Sequence, residues 1–401
     1  VAVTEPAVDA NRTDAPDPTP DPELLARASR LLEVTAPALV FLGVRLVGVL
    51  ILGWQTEVNG GLLLSRLSVW DGQWMLAIAG GGYSGVPHGL VDAFGHRDPT
   101  TPLAFFPGYP AAVAVVRFVT GANLVVAGLM VSLVAGVVLA YGLARLGELV
   151  PGGSRRVGLL LVALVAAAPM GVVWSMTYSE GLFCAFVVWA LVAVLRRNWV
   201  LAGCCTALAG TIRPTGAALL LAVGLAALVT VFRREDGWRP WVGGMIAPLG
   251  LVGYLGFVAS RTGSLGGWFE LQERGWSSGF DGGAATWAFT EEVLASGRSV
   301  LEVVTVGVLV GAVVLLAVCW ARRVPWPLIA YAAGVLAMTL ASNGLMNSKA
   351  RLALPAVTLL VPVALALAKR RRATAMAVLT AVTLASAWFG GYALTGWSYA
   401  I

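Results

Sequence analysis

Residues 103–119, LAFFPGYPAAVAVVRFV, are apolar enough to be read as a membrane-spanning helix, and whether they form one decides the topology of everything that follows. A helix crossing about 30 Å of hydrocarbon needs about 20 mostly apolar residues. This run is shorter, contains Pro107 and Pro110, and carries Arg117. The arginine clusters provide an independent test. With the run outside the bilayer and the N-terminus inside, six basic segments fall on the cytoplasmic side: the N-terminal tail, 145–156, RRN at 196–198, RREDGWR at 233–239, RR at 322–323 and KRRR at 369–372. That is the distribution the positive-inside rule requires, and a span at 103–119 would turn every later cluster outward. The run is therefore predicted to be a juxtamembrane or re-entrant helix on the outer side, its irregular backbone covered by protein or by a water-filled cavity.

The composition agrees with a multi-pass membrane protein. The chain has 401 residues, 58% of them hydrophobic and 12% charged, with a mean hydropathy of +0.82; a soluble domain carries about twice that charged fraction. The net charge of +6 resides mostly in short clusters between apolar runs, which marks topology and argues against a nucleic-acid partner. Apolar runs near 36–54, 122–146, 157–174, 179–195, 199–212, 214–232, 240–259, 300–320, 326–342, 352–368 and 373–395 predict an all-α fold with about eleven transmembrane helices, within a range of ten to thirteen. Residues 1–33 open with a Pro, Asp, Ala and Thr-rich stretch lacking a basic start and a compact apolar core. They are predicted to be a disordered cytoplasmic tail rather than a signal peptide. Four cysteines, Cys184, Cys204, Cys205 and Cys319, sit in apolar runs and are expected as free thiols. His88 and His96 fit no common metal spacing, and no metal or cofactor is expected.

This topology places on the outer face a first loop at 55–121, the corners MTYSEG (176–181) and IRPTG (212–216), a loop at 261–299, and SNGLMNSKARL (342–352). Ionisable groups in or beside spans are costly unless paired, so each is a functional candidate. Arg45 lies in the middle of the first span, as either a buried ion-pair partner or a functional cation. Arg213 stands beside Pro214, where the helix breaks. Lys349 and Arg351 precede another apolar run. Three cations meeting at one outer cavity would suit a lipid phosphate, the alternative for Lys349 and Arg351 being snorkelling at the interface. Asp71 is flanked by Trp70 and followed by a helix-capable stretch, GQWMLAIAG, with Trp74 on it. That helix is expected to lie along the interface, with Asp71 as a general base, as the helix N-cap, or as both. Glu180 begins a span on the same face, where it holds a cation such as Arg213, binds a sugar hydroxyl, or serves a structural ion pair.

Taken in order, WDGQWMLAIAGGGY, AFFPGYP, YSEGLF, RPTG and MNSKARLALPA resemble the signature segments of PIG-V-type mannosyltransferases, the GPI mannosyltransferase 2 group and its actinobacterial relatives within the GT-C glycosyltransferase fold. The resemblance spans nearly all of residues 36–370. It implies a seven-span core over 34–260 that includes the first outer loop, and a variable set of C-terminal spans over 300–401. It also implies transfer of mannose, with inversion, from polyprenyl-phosphate-mannose to a glycolipid or glycan acceptor, usually through an α-1,6 linkage. The enzyme would sit in the plasma membrane with its active site facing outside. Asp71 matches the family's first-loop acid; Arg213, Lys349 and Arg351 would hold the donor phosphate; Trp70, Gln73, Trp74, Tyr178, Glu180 and Arg45 would bind substrate or support the site. The sequence departs from the family at Gln73-Trp74, where His or Trp and then Tyr are expected, and at Gly108, where Leu is usual. A polyprenyl-linked lipid or glycan flippase, or a GT-C enzyme using another polyprenyl-phosphate sugar such as arabinose, shares most of these features. A flippase would not need the acid, and no internal repeat of the kind common in transporters is present.

Overall fold

The computed structural model describes residues 22–297, 299–397 and 400. Its described residues divide into two compact units between Ala36 and Pro37. Of the expected tail, residues 1–21 lie outside the described residues, whereas residues 22–33 are helical. Among the described residues all regular structure is helical, apart from one isolated antiparallel bridge between Phe280 and Ser342.

The first expected span lies in α1 (Pro22–Asn59), and the loop after it carries α2 (Leu63–Arg66) and α3 (Asp71–Gly81). The run on which the topology turns becomes α4 (Gly108–Thr120), 13 residues long and stopped by Gly121 at φ 69°. Thirteen residues rise only about 20 Å, too little to cross. Next come α5 (Leu124–Leu149), α6 (Arg155–Ala166), α7 (Glu180–Leu195), α8 (Trp199–Gly210) and α9 (Gly216–Phe232). Asn123, Ser154 and Asn198 cap α5, α6 and α8, each side-chain oxygen accepting a backbone N–H three residues on. The sequence α10 (Arg239–Ile246) and α11 (Leu249–Thr262) forms one apolar stretch of 24 residues. The outer loop expected at 261–299 holds two helices, α12 (Gly267–Trp276) and α13 (Ala284–Ser296). The chain closes with α14 (Val300–Ala321), α15 (Trp326–Leu340), α16 (Lys349–Ala353), α17 (Val361–Ala368) and α18 (Arg372–Thr395).

Each of the expected spans corresponds to a helix or a helix pair, but their lengths differ from the expectation of about eleven full crossings. Among the described residues five helices are long and apolar enough to cross a membrane, or six if the pair Met346–Ala353 and Val357–Ala368, bent by 65°, is one span. The others are short: 12 residues in α6, 16 in α7, 12 in α8, 17 in α9 and 15 in α15. A 16-residue helix rises about 24 Å, less than the hydrocarbon thickness, and a corner between such helices that lay within the membrane would need its backbone covered by protein. The pairs α5 with α6 and α7, α7 with α8, and α9 with α15 form the packed centre. Small residues set the closest approaches. A Cβ on Gly147 would lie 2.5 Å from the Gly158 Cα, and Gly203 packs directly on the Gly243 backbone, as expected where helices associate without a solvent-driven hydrophobic force.

Gly108 makes the approach that matters most for the site. Its N–H donates to the Thr211 carbonyl at 2.8 Å, and a Cβ there would lie 2.6 Å from Ile212 Cγ1 and 2.7 Å from Thr211 Oγ1. The departure from leucine at this position is thus accommodated by seating α4 directly on the end of α8. Gly108→Leu is expected to lower stability by about 1–3 kcal/mol through overpacking. Thermal unfolding in detergent checks this, an unchanged midpoint showing that the contact does not constrain the fold.

Candidate functional site

The corner between α6 and α7 is broken backbone, and side chains satisfy its carbonyls. Arg45 donates to the Ala166 carbonyl and to Ser175 Oγ, both at 3.0 Å. Trp174 donates to the Val165 carbonyl at 3.0 Å, Ser386 to that of Ala168 at 2.6 Å, and Ser132 to that of Met176 at 2.7 Å. Arg45 is thereby placed at the C-terminal end of α6, where the helix dipole favours a cation. It supports the corner and does not line the cavity.

The start of α3 is fitted to this corner. Thr177 N–H donates to the Leu67 carbonyl at 2.9 Å, and a Cβ on Gly72 would lie 2.5 Å from Thr177 Oγ1. Trp70 turns the chain into the helix at φ 52°, ψ −118°, a conformation costing a non-glycine residue about 1–3 kcal/mol and concentrated at functional sites. Asp71 is the first helical residue; the cap position is Trp70, and no side-chain cap bond forms. The carboxylate is therefore not the N-cap. It points instead to Arg351, whose NH1 donates to Asp71 Oδ2 at 2.6 Å.

From there the charges run inward. Arg351 Nε lies 3.7 Å from Glu180 Oε1, and Arg213 NH1 lies 2.7 Å from the same oxygen. Arg213 also donates to Ser179 Oγ at 3.0 Å. The Tyr178 ring stands beneath the Arg351 guanidinium, 5.2 Å from Cζ to the centroid. Exposure falls along the row, from 26% for the Asp71 side chain to 8% for Arg351 and 0% for Glu180. Both Glu180 oxygens accept no hydrogen bond among the described residues, so its compensation comes from the two guanidinium charges. Lys349 is equally buried, but its ammonium donates to the Thr339 and Ser342 carbonyls at 2.6 Å each, closing the C-terminal end of α15. Two of its three donors are committed to the fold.

Asp71, Arg213, Lys349 and Arg351 line one cavity of about 440 Å³. Trp70 packs into the neighbouring apolar cluster, and Gln73 is exposed outside the cavity lining. Trp74 does not face a bilayer from α3 as an anchoring aromatic would. It is buried, stacked on Phe105 at 5.2 Å and edge-on to Trp276 at 6.4 Å. Tyr83 likewise turns inward, donating to the Phe105 carbonyl at 2.8 Å. With Gly72, Trp74, Met75, Leu76 and Ile78 all buried, α3 is a packed element of the protein interior.

The far wall comes from residues the sequence reading did not single out. Trp268, Gln272 and Trp276 line the cavity from one face of α12, and the first two donate to the Ala104 carbonyl at 3.3 and 3.1 Å. Their i, i+4, i+8 spacing was the available signal. Ser278, Asn343 and Ser348 complete the wall. Beside it, Asp281 accepts N–H groups of Ala285 and Gly283, which hold its carboxyl below the usual range and fix the start of α13.

No protein-family model matches the chain, and no curated protein matches it in sequence. Among solved structures the fold is similar to ArnT from Cupriavidus metallidurans bound to undecaprenyl phosphate, with a TM-score of 0.52 and 16% identity over 86% of this chain and 64% of that one. It is similar to the same protein in the apo state, with a TM-score of 0.52 and 14% identity over 93% of this chain and 78% of that one. The chain thus spans a little under two thirds of the length of the first. At this identity the likeness concerns the fold alone, an all-α chain with several helices long and apolar enough to cross a membrane.

Proposed function

We propose that the chain is a membrane glycosyltransferase that moves mannose from polyprenyl-phosphate-mannose to a glycolipid or glycan hydroxyl, with inversion and through an α-1,6 linkage, in the manner of the PIG-V-type enzymes it resembles. The observation that carries this reading is the meeting of one partly exposed carboxylate, Asp71, with the guanidinium groups of Arg213 and Arg351 in a single cavity. Its fold neighbour ArnT binds undecaprenyl phosphate, which supports a polyprenyl phosphate as the donor's carrier.

In the reaction the acceptor hydroxyl gives its proton to Asp71 as its oxygen attacks the anomeric carbon. The bond from that carbon to the phosphate oxygen breaks, and the electron pair leaves with the phosphate. Arg213 and Arg351 oppose the charge that develops there, and their placement in a partly desolvated cavity strengthens the effect. The leaving group is already an anion, so no general acid is required. The orientation that follows from the arginine distribution puts this cavity on the outer face of the plasma membrane, with the N-terminus in the cytoplasm.

Asp71→Asn is expected to reduce mannose transfer from polyprenyl-phosphate-mannose by about 10²–10⁴-fold. Assays with labelled donor in membranes check this, and retained activity would remove Asp71 as the base. Arg213→Ala is expected to act first on the fold, costing about 3–5 kcal/mol because Glu180 loses its nearer cation. Recovery of the unfolding midpoint in Arg213→Ala/Glu180→Gln would separate that effect from catalysis. In a cysteine-free background, His88→Cys should react with an impermeant thiol reagent in intact cells and Arg233→Cys should not. The opposite pattern would reverse the orientation.

A further inference from the structure

Arg351 NH1 lies 2.6 Å from Asp71 Oδ2, so an oxygen required as proton acceptor is already engaged by a cation. The Arg351 side chain is about as exposed to the cavity as that of Arg213, 8% against 10%, whereas Lys349 is fully buried. Arg213 is held by Glu180 at 2.7 Å and by Ser179, and two of the three Lys349 donors are bound to carbonyls. Arg351 is farther from Glu180, at 3.7 Å, and its hydrogen bond is to Asp71; its Nε, like that of Arg213, makes no hydrogen bond among the described residues. Asp71, Arg351, Glu180 and Arg213 together carry no net charge. A phosphate entering beside them adds an anion, and two anions then face one adjustable guanidinium.

Resting on the glycosyltransferase reading above, we propose that Asp71 and the donor phosphate compete for Arg351, so that the carboxylate is released as a base only when a lipid phosphate occupies the cavity. The charge balance of the transfer fits this exchange. A proton moves from the acceptor hydroxyl to Asp71, the new carbon–oxygen bond forms, and the electron pair of the broken bond stays on the phosphate. One unit of negative charge therefore leaves the carboxylate and appears on the phosphate. Arg351 follows it, parting from Asp71 as the donor binds and standing at the phosphate when the product forms. Before the donor arrives, the paired carboxylate is neutralised and does not draw a proton from an acceptor or from water, so productive binding runs donor first.

The test is the affinity of undecaprenyl phosphate, the carrier without a sugar, for the full chain in lipid nanodiscs. Asp71→Asn is expected to bind it about tenfold more tightly than the wild type, and this gain should vanish in an Arg351→Gln background, the coupling expected of groups that share a partner. Asp71→Ser provides a second uncharged variant should the asparagine chain fold poorly. A purely structural ion pair predicts the opposite sign, since its loss would loosen the site and weaken binding. Unchanged or weaker binding by the Asp71 variants, or a gain that persists without Arg351, would overturn the competition. Failure of the wild type to bind the probe at all would instead overturn the donor class on which it rests.

Discussion

The ion pair between Glu180 and Arg213 is the constraint around which the site is arranged. A fully buried carboxylate in an apolar surrounding is tolerated only beside fixed positive charge. That requirement draws the corner at Ser179–Glu180 and the corner at Arg213–Pro214 together, though they are separated in sequence by a whole helical hairpin. Arg351 then enters as the second cation of Glu180 and the partner of Asp71, which ties a third and a fourth segment to the same point. The arrangement is a row of alternating charges. Removing one member would leave its neighbours uncompensated, so single changes here are expected to act on the stability of the fold.

The short helices make such a row possible. Had α7 and α9 run the full thickness of the bilayer, their first turns would lie at the surface and their ionised corners would face water. At the corner before α7 the broken backbone lies inside, and Arg45, Trp174, Ser386 and Ser132 close four of its carbonyls. Arg45 and Lys349 do this work at the ends of α6 and α15. Both are cations buried for the sake of main-chain oxygens.

Much of this was legible in the sequence because an oily chain makes each ionisable residue conspicuous. Asp71, Glu180, Arg213 and Arg351 stood out for that reason, and the structure brings all four together. Lys349 stood out equally, but its commitment to Thr339 and Ser342 depends on where α15 ends, which local composition does not fix. Arg45 is joined to Ala166 across 121 residues of chain, a separation that no local pattern reveals. Helix length was hidden too, since a short interior helix and a full span are equally apolar. The cavity face of α12 was missed because Trp268, Gln272 and Trp276 lie in a stretch read as loop, and the Ala104 carbonyl that orients them is a tertiary partner.

The wall opposite Asp71 is laced to the rest of the protein by main-chain hydrogen bonds. Asp281 N–H donates to the Ala341 carbonyl and Asn343 N–H to the Gly279 carbonyl, both at 3.0 Å, around the bridge between Phe280 and Ser342. Such bonds are indifferent to the side chains they carry. The main-chain bonds therefore survive a change at Phe280, whereas Trp268, Gln272 and Asn343 fasten the wall through their side chains. A change at Phe280 would alter what the chamber presents without loosening its backbone, while a change in the row of charges would loosen the fold itself.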